Sequence, residues 1–359
     1  MLSTPRLLLA AVLIVVSLFL LSPPALADDK GGAASELLDR GEAQFRQGDV
    51  AGALRTFDAA AKADPKDARA PYLRGIALEK KGDAAGAMAA YRRAIALQAD
   101  FPQAHNGLGT LLKAKGDKAG AASEFQAAVK ADPAYAEAHY NLGTVEIALG
   151  QRPAAIASFR AAVKANPNEG IYLIDLGAVL LAEGDVDGAL VALRGATQKL
   201  PRDPVGWGNL GRALLARKSY DEAHKAFERA VQIKPDYPDA WNGLGRVELR
   251  QGQAPAAVAA QERARKLDPK NSTYAADLCH TLLDARAPAR AASECRAALA
   301  LEPGNAFARY ELGKALVASG DCAGAKAEMA RFAALPGVKP AAKAQANSIL
   351  GACVPPGGK

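Results

Sequence analysis

The sequence predicts an all-α solenoid of about nine helix-turn-helix units closed by a C-terminal capping helix. Three periodicities predict it. Alanine recurs every 34 residues at Ala53, Ala87, Ala121, Ala155, Ala189, Ala223, Ala257, Ala291 and Ala325. Glycine keeps the same period at Gly41, Gly75, Gly109, Gly143, Gly177, Gly211, Gly245 and Gly313, with Cys279 in the one missing place. Proline does so at Pro65, Pro133, Pro167, Pro201, Pro235, Pro269 and Pro303, with Ala99 and Gly337 as exceptions. A period held without insertion marks stacked supersecondary units, each too small to bury its apolar face alone. Hydrophobic residues at 50% supply a continuous core, and aromatics at only 6% fit close, alanine-based helix packing.

The elements follow in chain order. Arg6 precedes an apolar run, Leu7 to Leu21 interrupted only by Ser17, then Ser22-Pro23-Pro24 and the small-residue site Ala25-Leu26-Ala27. That is the layout of a secretory signal peptide, too short for the roughly 20 residues that span a bilayer. Residues 1–27 are therefore expected to be removed near Ala27, leaving no stable membrane insertion and a periplasmic or secreted protein. No cysteine follows the cleavage site, so no lipid anchor is expected, and residues 28–33 read as a flexible lead.

Nine tandem units follow: 34–67, 68–101, 102–135, 136–169, 170–203, 204–237, 238–271, 272–305 and 306–339. In the third, Ala104 to Lys115 carries apolar residues at helical spacing, Gly116-Asp117 breaks it, and Ala119 to Lys130 resumes before Pro133. The break recurs at Gly48, Gly82, Gly150, Gly184, Gly252 and Gly320, while Lys218 and Arg286 replace glycine. Helices of about a dozen residues are marginal in isolation, so stacking must stabilise them. Pro340 opens a final helical stretch, Ala341 to Ala352, that covers the last unit; residues 340–359 form this cap and a tail.

Trp207, Leu210-Gly211, Leu214, Ala223, Phe227, Ala230 and Pro235 resemble the tetratricopeptide repeat, a 34-residue helix-turn-helix unit. The resemblance runs from about Ala34 to Gly337 and implies a right-handed superhelix whose concave wall, lined by the first helix of each repeat, docks peptides or partner domains. A large slot on the second helix holds Phe57, Tyr91, Phe125, Phe159, Leu193, Phe227, Gln261, Cys295 and Met329 in turn, so repeats seven to nine are the least regular. Gln261 reads as a tolerated amide with its hydrogen bonds satisfied.

Four cysteines, Cys279, Cys295, Cys322 and Cys353, allow three pairings. The repeat geometry that the resemblance implies places the slots of Cys279 and Cys295 face to face, and brings the end of an antiparallel cap, Cys353, back to Cys322. In an exported chain these read as structural disulfides rather than redox or metal sites. No Cys-x-x-Cys or zinc spacing is present, and no metal or cofactor is expected.

Several motifs dissolve into the repeat. Gly206 to Gly211 satisfies G-x-G-x-x-G, yet no strand precedes it and its last glycine is the repeat's small slot. His105 and His139 occupy the slot of Trp207 and Trp241, and read as packing residues. With no nucleophile or phosphate-loop motif, an enzyme is not expected.

What remains is the wall. Projection of the repeats selects Tyr72, Asn106, Tyr140, Asn141, Thr144, Ile174, Asn209, Arg212, Asn242, Arg246, Arg250 and Tyr310, flanked by Ile76, Thr110, Ile171, Leu181, Leu215, Asp277 and His280. Asparagine offers donor and acceptor to an extended peptide, and arginine clamps a carboxylate. The expected ligand therefore has an apolar portion and an acidic residue or free C-terminus near Arg212 and Arg246. The net charge of +7, one unit of it from Arg6, is dispersed among acids without basic runs, so nucleic acid is not an expected partner. The expected function is a non-catalytic scaffold of the bacterial cell envelope, in a secretion, motility, pilus or wall-assembly machine. The alternative is a regulatory or substrate-delivery subunit of an envelope enzyme or polysaccharide export system, and self-association is a third outcome.

Overall fold

The computed structural model describes residues 29–351 and 353, and the signal-peptide reading of residues 1–27 lies outside them. Among the described residues there are nineteen helices and no strand. The first five are α1 (Asp29–Arg46), α2 (Val50–Ala63), α3 (Arg69–Lys81), α4 (Ala84–Leu97) and α5 (Pro102–Lys115). Next come α6 (Lys118–Ala131), α7 (Ala136–Ala148), α8 (Arg152–Ala165), α9 (Gly170–Ala182), α10 (Val186–Lys199), α11 (Pro204–Ala216) and α12 (Tyr220–Ile233). The remainder are α13 (Pro238–Arg250), α14 (Ala254–Leu267), α15 (Ser272–Asp284), α16 (Pro288–Leu301), α17 (Ala306–Ala318), α18 (Cys322–Ala334) and α19 (Pro340–Gly351). Residues 29–33, expected as a flexible lead, belong to α1, where Ala33 and Ala34 favour helix.

The turn inside each repeat has a local cause. Gly82 adopts φ 85°, a left-handed conformation that ends α3, and Asp83 then caps α4 by accepting from the Gly86 N–H at 2.8 Å. Asp49, Asp117, Asp185 and Asp321 cap in the same way. Lys218 (φ 66°) and Arg286 (φ 58°) hold the left-handed place in repeats six and eight despite their side chains.

Two compact bodies divide within α6, one up to Gly120 and one from Ala121. In the first, Leu38, Ala53, Phe57, Ala60, Ala70 and Ala77 form a core. In the second, a continuous core runs from Ala155 through Phe159, Leu193 and Phe227 to Ala260. All nine period-marking alanines are fully buried. At these positions the second helix presents only a methyl group to its packed neighbours.

The glycine slot and the large slot of a repeat are the two halves of one contact. A Cβ on Gly211 would sit 2.9 Å from the Phe227 ring, closer than real Cβ atoms approach. In repeat eight the same two slots carry the Cys279–Cys295 disulfide, with Cα atoms 5.3 Å apart. In repeat seven they carry Gly245 and Gln261. Gln261 is 1% exposed, yet its Oε1 accepts no hydrogen bond, which corrects the expectation of a satisfied amide: Gly245 in the facing slot has no side chain to offer a donor. Cys322–Cys353 ties α18 to the end of α19, whose Ala346 packs with Met329 and Phe332.

Candidate functional site

The slot of His105 and His139 does chemistry for the backbone. The ring N–H groups of Trp207 and Trp241 donate to the carbonyls of Pro201 and Pro235, at 3.1 and 2.9 Å. His105 and His139 pair with the carbonyls of Ala99 and Pro133 at 2.9 and 3.0 Å, and Arg309 donates to that of Pro303 at 2.6 Å. These side chains fasten the start of one repeat to the end of the one before. The glycine string 206–211 lies inside α11, as a helix without a preceding strand.

In the first body, the predicted wall residue Tyr72 packs its ring against Phe101 at 4.8 Å and Tyr91 at 5.9 Å, and Asn106 is 6% exposed. Both serve the core. In the second body the wall runs over α7, α9, α11, α13, α15 and α17, and the predicted residues there divide into two groups. Asn141, Ile174, Asn209 and Asn242 are buried, which differs from their expected display. The physical reason is that these positions face the seam between neighbouring first helices rather than the open side. Asn209 Oδ1 accepts from Arg212 at 2.8 Å, and Asn242 Nδ2 donates to Asp277 at 2.7 Å. Thr144 donates to the Asn141 carbonyl at 2.7 Å. Arg212, Arg246 and Arg250 are exposed, and Tyr140, Thr144 and Tyr310 are half-buried.

Acidic residues missed by projection organise the seam. The Tyr140 hydroxyl donates to Asp175 at 2.7 Å, and its ring stacks on Tyr172 at 4.8 Å. Burial pushes the Asp175 carboxyl above the ordinary carboxylate range against the pull of the Tyr140 hydrogen bond. Burial, with Glu137 and Glu169 nearby, pushes Tyr172 up to about 12. Farther along, His280 contacts Glu311 at 3.2 Å and Lys314 contacts it at 2.9 Å. Burial alone would raise Glu311, but bonds from His280 and Lys314 outweigh it and hold the carboxyl below its usual value. The Glu311 hydrogen bond raises His280 in turn. The signal that could have found the Tyr140–Asp175 and Asn242–Asp277 pairs is their shared separation of 35 residues, one repeat plus one.

Between α11 and α13 the wall opens into a cavity of about 530 Å³ lined by Arg212, Leu215, Lys218, Tyr220, Arg246 and Arg250. The three predicted arginines are thus brought together, with Lys218 added from the turn and Tyr220 from the start of α12. Among the described residues there is no cluster of three metal-ligating side chains, and no helix is long and apolar enough to cross a membrane. The cavity's lining is cationic, with three guanidinium groups and one ammonium group.

A tetratricopeptide repeat family profile matches residues 38–105, 106–150, 140–204 and 208–272. No protein of curated description matches the chain. Among solved structures, the chain is similar to the hetero-tetramer Cut9–Hcn1 of the APC/C. That likeness has a TM-score of 0.55 at 16% identity and covers 81% of this chain and 57% of that one. It is similar also to pilF of Pseudomonas aeruginosa, with a TM-score of 0.53 at 17% identity, covering 59% and 97%. YrrB, described as a TPR protein with an unusual peptide-binding site, aligns with a TM-score of 0.48 at 26% identity over 51% and 95%. The first two, at such low identity, are likenesses of fold alone.

Proposed function

The chain belongs to the tetratricopeptide repeat family, whose members are protein-interaction scaffolds and typically non-catalytic, and on that footing we propose that it is an exported scaffold of the bacterial cell envelope. Its partner segment lies along the first-helix wall of the second body, with an apolar stretch beside Tyr140 and an acidic residue or free C-terminus near Arg212 and Arg246. One observation carries this reading: three exposed guanidinium groups, one from repeat six and two from repeat seven, converge on one cavity of that wall. Export is supported by the leader pattern of residues 1–27 and by the pairing of all four cysteines, since disulfides persist outside the reducing cytosol. The nine-repeat division from 34 to 339, the cleavage near Ala27 and a role in a secretion, motility, pilus or wall-assembly machine belong to the same reading.

The test is crosslinking from a wall position such as Thr144 in the intact envelope, followed by identification of the captured protein. Capture of one envelope component, weakened at least tenfold by joint Arg212→Ala and Arg246→Ala substitution, is the expected result. Unchanged affinity in that double variant removes the site, and recovery of the chain's own copies alone removes the adaptor role in favour of self-association.

A further inference from the structure

The cavity between α11 and α13 carries more positive charge than its surroundings compensate. Arg246 and Arg250 stand one turn apart on α13, a like-charge spacing that destabilises a helix by a few tenths of a kcal/mol. Arg212 faces them from α11, and Lys218 enters from the turn. None of the four forms an ion pair with a described residue. The acids nearby in sequence are engaged elsewhere. Asp187 pairs with Arg217 at 3.1 Å, Glu222 with Arg194 at 2.7 Å, and Asp221 accepts from Gln251 at 2.8 Å. Glu248 is buried, with one oxygen 3.7 Å from His224. Lys218 holds a left-handed φ of 66° at a place where seven of the nine repeats use glycine, as Arg286 also does in repeat eight, and of the two only Lys218 lines this cavity.

The lining also says which anion. Guanidinium and ammonium groups donate hydrogen bonds and accept none, so among the lining side chains only the Tyr220 hydroxyl can accept. No carboxylate or amide side chain lines the cavity. A peptide backbone, which must place N–H groups as well as carbonyls, finds few acceptors there. An ionised phosphoryl group is acceptor-only, takes bidentate contacts from guanidinium, and brings two charges where a carboxylate brings one.

We propose that this cavity binds a compact phosphoryl ligand, a phosphomonoester or diphosphate, held by Arg212, Arg246, Arg250 and Lys218. The ligand shares two arginines with the partner segment but does not require that segment. Loss of crosslinked partner therefore leaves this site standing, and loss of phosphoryl binding leaves the crosslink standing.

The experiment is calorimetry and thermal melting of the purified protein with inorganic pyrophosphate, against sodium chloride of matched ionic strength. One-to-one binding and a melting shift specific to pyrophosphate are expected. Joint Arg246→Ala and Arg250→Ala substitution weakens binding at least tenfold. Lys218→Gly weakens it several-fold while raising the melting temperature of the free protein, because glycine relieves the left-handed strain; this separates a lost contact from a misfolded variant. Arg286→Gly gives the same backbone relief outside the cavity and leaves binding unchanged. Vesicles containing phosphatidic acid, bound in the same variant-sensitive way, assign the phosphoryl group to a lipid headgroup, and binding of free pyrophosphate alone assigns it to a soluble ligand. Chloride matching pyrophosphate, indifference of binding to both cavity variants, or equal affinity for a diglutamate peptide overturns the proposal.

Discussion

Repeats four to six and repeats seven to nine share one period and one hairpin geometry, but they close their cores by different means. In the former, the large slot is filled by Phe159, Leu193 and Phe227, all buried, and the glycine opposite presses directly on them. In the latter, the same place holds Gln261, then a disulfide, then Met329. The polar layer differs in parallel. Glu146 in repeat four receives the Ser158 hydroxyl at 2.7 Å, whereas the place of Ser158 in repeat seven is Ala260, and Glu248 Oε2 has no partner. Where apolar packing is complete no crosslink is present, and where packing is compromised covalent bonds follow within one repeat. A repeat's interior is thus a set of exchangeable solutions to one contact.

Five sets of substitutions put this contrast at risk. Phe227→Ala removes the largest side chain of the regular region and leaves a cavity against both Gly211 and Gly243. Denaturant melts should show a loss of about 3–5 kcal/mol. Joint Cys279→Ala and Cys295→Ala substitution opens a loop of 16 residues in the irregular region, and calorimetry should record about 3 kcal/mol less stability. Gln261→Met copies the solution of repeat nine and removes the unpartnered oxygen, for a gain of about 1–3 kcal/mol in the same melts. Ala260→Ser supplies Glu248 with the hydroxyl that Glu146 has, for a gain of about 1 kcal/mol.

The smallest effect is a pH dependence confined to repeats eight and nine. His280 faces Glu311, Asp284 and Lys314, and its pKa is raised above the ordinary value of about 6.5. Its contribution is therefore fully present below that value and fades as pH rises through the raised one. The depressed pKa of Glu311 works oppositely: its contribution is present above the ordinary carboxylate range and fades as pH falls through the lowered value. Melting of His280→Ala against the parent from pH 5 to 9 should show a difference under about 1 kcal/mol that shrinks on the alkaline side.

Much of this architecture is legible in sequence because the decisive contacts are local to a repeat. Gly211 and Phe227 lie on the two arms of one hairpin, so each copy repeats the constraint. The Cys279–Cys295 pair is readable for the same reason. The wall is less legible. Whether Asn209 or Asn242 is displayed depends on the neighbouring first helix and on the reach of Arg212 and Asp277, which a period does not encode. Asp175 and the His280 contact of Glu311 escape because Tyr140 and His280 lie about a repeat away and only a seam between helices brings them together. Lys218 is visible as a missing glycine, but its convergence with three arginines requires the turn's position relative to α13.

The bonds from His105, His139, Trp207, Trp241 and Arg309 to carbonyls six residues upstream bear on how the chain responds to force. Each acts as a clip across a joint between repeats. Leu173 and Ala275 occupy the same slot in repeats five and eight and have no donor to offer, and the Pro269 carbonyl is taken instead by Arg265 from its own side. Pulled from its ends, the second body should yield first at these two unclipped joints, before Leu173 and before Ala275. Where extension begins is thereby expected to follow from two slots of the period rather than from all of them.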